Sequence, residues 1–235
     1  MKISSLLGIL TIAAASTAAQ SAIVVATDFQ TSGTTTLDHT YSPSSTDLLS
    51  GLMPTATMGN LTNVEGTSGP QVLTDGAYPS PITRAPDANF NTSIFTALGS
   101  NSGVVYNSLT YTLASSSDLA SIVVYGGWQD GGRDQQTYSI FYAQTADPGL
   151  FLPLTTVDFN PPNPGTFPQA TRVTITEDTL PALATDVAAI RFDFNDTENG
   201  YTGYAEIDVI AVPEPSGLGL LAASLFGALC FRRRR

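Results

Sequence analysis

Apolar and polar residues alternate through much of the middle of this chain. In segment 109–113, Leu109, Tyr111 and Leu113 point one way while Thr110 and Thr112 point the other. Segment 172–176 sets Val173 and Ile175 against Arg172, Thr174 and Thr176. Segment 189–194 sets Ile190, Phe192 and Phe194 against Ala189, Arg191 and Asp193. A period of two marks strands with one buried face. Segment 120–125 is apolar and rich in β-branched residues, as expected of a strand covered on both faces. Further strands are predicted near 22–26, 94–98, 138–143, 151–157 and 204–211. Turn signals separate them: Asp75-Gly76, Gly126-Gly127, Asp130-Gly131-Gly132, Asp147-Pro148-Gly149 and Asn199-Gly200. Pro161, Pro162 and Pro164 mark an exposed loop, and the Thr/Ser-rich segment 30–60 reads as loops with one strand at most. Short strands between turns predict an all-β sandwich or barrel, not a parallel α/β fold. Without a repeat at solenoid or propeller spacing, the body is one domain, 23–211.

The two ends follow a different pattern. Lys2 precedes an apolar run at 3–15, and small residues follow at Ala18, Ala19 and Ala22. This is the order of a secretory signal peptide, assigned to 1–22, with cleavage after Ala19 or Ala22. The run is shorter than the roughly 20 apolar residues that span a bilayer. At the other end, Val212-Pro213-Glu214-Pro215 leads into an apolar stretch, 216–231, and then Arg232, Arg233, Arg234 and Arg235. As one helix that stretch would reach about 24 Å, enough to enter a thinned bilayer with the arginines held on the cytoplasmic side. Pro-Glu-Pro, one short hydrophobic helix and a terminal arginine cluster together resemble the PEP-CTERM sorting domain, over 212–235. The resemblance implies processing by an exosortase, transient anchoring in the inner membrane, and a Gram-negative bacterium that makes exopolysaccharide. The cell surface, outer membrane or extracellular matrix would be the destination.

Removing both ends sharpens the charge. Of 9 basic residues only Arg84, Arg133, Arg172 and Arg191 belong to the body, while 19 of the 20 acids do. The body therefore carries about −15, which disfavours nucleic acid and anionic lipid and suits neutral ligands, divalent cations or plain solubility. Cys230, the one cysteine, lies in the tail, so the body has no disulfide and no thiol chemistry. About 190 residues can bury a core without such staples.

Several motifs recur in an informative order: Leu73-Thr74-Asp75-Gly76, then Ile122 to Trp128, then Arg133 and Tyr138, then Ala189-Ile190-Arg191-Phe192, then Ala205-Glu206-Ile207-Asp208-Val209. Over about 55–211 this resembles the discoidin or galactose-binding-like jelly roll, although no clear aromatic beyond Tyr78 follows Asp75-Gly76. The resemblance implies a single jelly-roll β-sandwich and one structural calcium where the Asp-Gly loop meets the last strand, held by Asp75 and Glu206. The plainer alternative is an Asx-turn at Asp75 and a solvated Glu206. Trp128, Asp130, Arg133 and Tyr201 are the candidate ligand residues, with the indole stacking on a sugar and the polar groups bonding its hydroxyls. A core position for Trp128 and an ion-paired Arg133 are the competing readings. Asn199, Tyr201 and Tyr204 mark a second, weaker loop.

Catalytic patterns are sparse. His39 is the one histidine, no nucleophile elbow accompanies it, and a zinc set is missing. With 19 acids in the body, no one carboxylate pair of the glycosidase kind is marked out by the sequence. The expected role is therefore non-enzymatic: an exported protein with carbohydrate or exopolysaccharide binding as its candidate function. A purely structural matrix component is the first alternative, and a glycan-acting hydrolase the second.

Overall fold

Eleven strands are found among the described residues, all joined by antiparallel ladders. The structure is a computed structural model and describes residues 22–59, 66–84, 91–98, 107–162, 165–195 and 198–214. The signal peptide (but for Ala22), Pro215, the apolar stretch 216–231 and the arginine cluster lie outside the described residues. In chain order the strands are β1 Ile23–Thr31, β2 Thr36–Leu37, β3 Ala56–Met58, β4 Ile82–Thr83 and β5 Phe95–Leu98. Then come β6 Asn107–Trp128, β7 Gln136–Gln144, β8 Leu152–Phe159, β9 Gln169–Glu177, β10 Ala184–Phe194 and β11 Tyr201–Ala211. A short 3-10 turn, Pro70–Thr74, leads into Asp75.

The strand read separately at 109–113 and 120–125 is one continuous β6. Its first part pairs with β3 and β10, and its second part, from Leu119 on, pairs with β9 and β11. Between them Ala114, Ser115, Ser116 and Asp118 are exposed, and β10 is irregular opposite, between Ala184 and Ala189. The sheet thus folds over on itself. One layer runs β3-β6-β10-β7-β8 and the other β1-β9-β6-β11-β5. This is the all-β sandwich that the alternation predicted.

The inner faces of the two layers make the core. Leu109, Tyr111, Ile140, Ile190, Phe192 and Phe194 come from the first, and Ile122, Val124, Val173, Ile175, Ile207 and Val209 from the second. Outward partners at 172–176 stay half-exposed as expected, but Ala189 and Asp193 are buried on the outer side of β10. A second apolar cluster covers the outside of the second layer, where Leu37, Tyr41, Tyr78 and Ile82 pack on Tyr125, Trp128, Ala170 and Ala205. Residues 37–41 and 78–82 are therefore a cover over this layer. That is why 120–125 reads as a run: Ile122 and Val124 face the core, while Val123 and Tyr125 face the cover. The expected single strand in 30–60 is two short ones, β2 and β3.

Candidate functional site

Two groups of polar side chains stand out, one on β11 and one at the loop end of the sandwich. Glu206 and Asp208 lie two residues apart on β11 and so share a face. Both are buried, Glu206 completely. The Asp75-Gly76 turn packs on this face. Glu206 Oε2 accepts from Gly76 N at 2.9 Å and from Ala77 N at 3.3 Å. Asp208 Oδ2 accepts from Ser44 N at 2.9 Å. A third acid arrives from the chain between β2 and β3: Asp47 Oδ1 accepts from Leu49 N at 2.7 Å and from Val209 N at 3.2 Å.

Each of these carboxyls has a second oxygen with no partner. Glu206 Oε1, Asp208 Oδ1 and Asp47 Oδ2 are buried and accept no hydrogen bond. The three groups offer ligand atoms that all lie within 4.8 Å of one another. A buried acceptor without a donor is costly, and three of them together are costlier still. Burial is also the main reason that all three bind a proton more tightly than an exposed carboxylate does: Glu206 is pushed up to about 9, Asp208 to about 6, and Asp47 upward, with like charges of neighbouring acids adding to the first two. Converging hard oxygens fit a divalent cation of the calcium type.

The sequence expectation paired Glu206 with Asp75, and the structure gathers a different set. Asp75 is exposed, and its Oδ1 accepts from Ala77 N at 2.9 Å, an Asx-turn that shapes the loop. Glu206 does not face solvent, contrary to the plainer alternative. Asp208 was legible by period two from Glu206. Nothing in the Thr/Ser-rich stretch around Asp47 marked it.

At the other group, Trp128 ends β6 and is 3% exposed. Burial leaves no indole face for a sugar, which corrects the stacking role considered for it. Backbone packing forces this position. A Cβ on Gly203 would sit 2.6 Å from Gly127 O and 2.7 Å from the indole, and Gly127, at φ +146°, has no room for one either. The Arg133 guanidinium lies 5.1 Å from the Trp128 ring centre and 3.9 Å from that of Tyr201, a geometry of cation–π contact. Arg133 and Tyr201 are both half-exposed. Asp130 Oδ1 accepts from Gly132 N at 3.1 Å, Asn199 Nδ2 donates to Gly132 O at 2.7 Å, and Gly203 N donates to Arg133 O at 3.0 Å. All four residues expected to bind ligand are thus in one region, with Trp128 beneath and Arg133 and Tyr201 toward solvent. Tyr204 is fully buried and packs on Phe194 in the core, so it does not join them.

Sequence reasoning missed a buried acid in this region. Asp134 is 1% exposed, and burial together with its contact to Glu198 pushes it up to about 8. His39 sits among aromatic rings of the cover. It stacks on Tyr78 at 4.1 Å, its Nε2 lies 2.7 Å from Pro79 O, and burial lowers its pKa.

The end of the body is equally well placed. Ala211 still pairs with Leu119, Val212 N donates to Asp118 O at 2.8 Å, and Pro213 and Glu214 are exposed. Residues 211–235 carry the PEP-CTERM protein-sorting motif. Such a motif marks export and placement at the cell surface. No curated protein matches the chain in sequence. Solved structures similar to it include CpGH89CBM32-5 from Clostridium perfringens, in complex with GalNAc-β-1,3-galactose. It is 13% identical with a TM-score of 0.46, over 71% of this chain and 100% of that one. The family 32 CBM of C. perfringens NanJ, in complex with galactose, is 15% identical with a TM-score of 0.40, over 65% and 92%. An F5/8 type C domain from Bacteroides fragilis is 16% identical with a TM-score of 0.39, over 68% and 94%.

The raised acids fix a pH dependence. A carboxyl near 4.5 unfolded and about 9 folded keeps in the folded state a proton that the unfolded chain has released. Stability in a chelator should therefore fall as pH rises from about 4.5 to about 9, with Asp134 acting in the same direction. Denaturant unfolding across this range should show a smaller fall in Glu206→Gln than in the wild type.

Proposed function

We propose that this is an exosortase-sorted protein of the cell surface or extracellular matrix of a Gram-negative bacterium, whose sandwich binds neutral carbohydrate of an extracellular polysaccharide. The sorting motif that follows directly on the last strand supports the first half of this reading. Export then proceeds through the signal peptide 1–22, and the tail 212–235 is held in the inner membrane until the exosortase acts. Intact mass of the native protein should show a chain that ends before Arg235. A mature chain still ending in four arginines overturns the sorting.

The carbohydrate half rests on one observation: the Arg133 guanidinium held against Tyr201 at a half-exposed loop end. Arg133 would donate to sugar hydroxyls, with Asp130 accepting from them and Tyr201 offering apolar contact. Trp128 sits directly under this pair, and as the one tryptophan it reports any shift of Arg133. Titration with neutral hexoses and with exopolysaccharide should change its emission, and Arg133→Ala should abolish the change. Flat titrations with every glycan favour the second reading, a structural matrix component, which a buried indole also fits.

Calcium would be held by Asp47, Glu206 and Asp208, supplying the positive charge that their unpartnered oxygens lack. Bound there, it would tie the chain between β2 and β3 to β11 and keep the three acids ionised. The full chain at pH 8 should melt at a higher temperature in calcium than in chelator. Equal melting temperatures remove calcium from this account.

A further inference from the structure

The outer face of the first layer presents a second set of side chains that the loop site does not use. Strand register builds it in two rows. Ala56, Thr110, Arg191 and Phe141 are directly paired across β3, β6, β10 and β7. The next row holds Met58, Ser108, Asp193 and Ser139. Directly paired residues share a face, and since Leu109, Phe192 and Ile140 point into the core, both rows point away from it. Above them lies a cleft of about 250 Å3 walled by Thr110, Ser108, Arg191, Asp193 and Met58.

Arg191 is held in place by two aromatic rings and one ion pair. Its guanidinium lies 4.4 Å from the ring centre of Phe141 and 4.8 Å from that of Phe151. Its Nε is 3.1 Å from Asp193 Oδ1, which also accepts from Ser108 Oγ at 2.7 Å. Apart from that ion pair, Arg191 donates no hydrogen bond to the described residues, although its side chain is 29% exposed. A planar fork of donors therefore stands beside a carboxylate whose Oδ2 accepts nothing from the described residues.

We propose that this cleft is a second saccharide site, taking one neutral sugar ring through a vicinal pair of hydroxyls. One hydroxyl donates to Asp193 while its neighbour accepts from Arg191, an arrangement that only an adjacent donor and acceptor can satisfy together. The ring's C–H face rests toward the exposed Met58. An anionic ligand is disfavoured by Asp193 and by the acidity of the body. The volume is below the roughly 300–1,000 Å3 of pockets that enclose drug-sized ligands, which suits one ring at the surface of a longer polymer. With the loop site, the domain would grip a polysaccharide at two separated places, and avidity would follow from the linkage. The inference rests on the reading of this protein as a carbohydrate binder, but not on the loop site itself.

The test is an NMR titration of the full chain with glucose, galactose, mannose and cellobiose, following the arginine Nε–H signals. The Arg191 signal should move. Arg191→Ala and Asp193→Asn should each weaken that binding about tenfold or more, as loss of a charge-assisted hydrogen bond does. Asp193→Asn keeps the shape of the cleft and an acceptor for Ser108, so it decides the matter if Arg191→Ala unfolds. An Arg191 signal unmoved at saturation, or affinity unchanged in both variants, overturns the face site. If only the Arg133 signal responds, the loop reading stands and the face site falls; if only Arg191 responds, the reverse holds. Silence of both signals overturns both.

Discussion

One strand ties both layers of this protein together. β6 runs unbroken from Asn107 to Trp128, yet its first part belongs to one layer and its second part to the other. Ladder hydrogen bonds would otherwise hold such a strand in a single sheet. The change of layer is permitted by exposed small residues at 114–116 and fixed by Asp118. Its Oδ1 accepts from Asp186 N at 2.9 Å and its carbonyl from Val212 N at 2.8 Å. Asp186 takes a positive φ of 53° there, an unusual backbone that its neighbours must hold. This one corner sets the spacing of the two inner faces, the irregularity in β10 and the point at which the sorting tail leaves the body. Trp128, at the far end of the same strand, carries the constraint to the loop end.

A second constraint is the shortage of positive charge. Three of the body's four arginines lie over aromatic rings: Arg133 on Trp128 and Tyr201, Arg172 on Tyr41, Arg191 on Phe141 and Phe151. Rings hold a guanidinium flat and leave its donor edges available for other bonds. Acids, in excess, are left to pair with backbone amides or with each other. Around Asp47, Glu206 and Asp208 the amides satisfy one oxygen of each carboxyl and leave the other bare. Protonation or a cation can relieve that arrangement, and the two have opposite pH dependence. Without a cation the site favours lower pH; with one it favours the ionised state.

The sequence by itself determined whatever is written in neighbouring residues. Period two at 109–113, 172–176 and 189–194 specified strands and their inward faces, because an exposed Phe192 or Ile175 would forfeit burial. The apolar run around Val123 disclosed a layer covered on both sides. The order Pro-Glu-Pro, apolar stretch, arginines was legible as a sorting motif because the whole signal is contiguous. Tertiary structure alone decided how distant segments meet. Asp47 reaches β11 across 162 residues to accept from Val209, and no local pattern around Asp47 encodes that meeting. Trp128 became core because Gly203 and Gly127 let two backbones close over it. Arg191 faces Asp193 and Phe141 through register between strands far apart in the chain. Local periodicity states which side of a strand is apolar; only packing, which brings remote backbones within hydrogen-bonding distance, states what lies opposite.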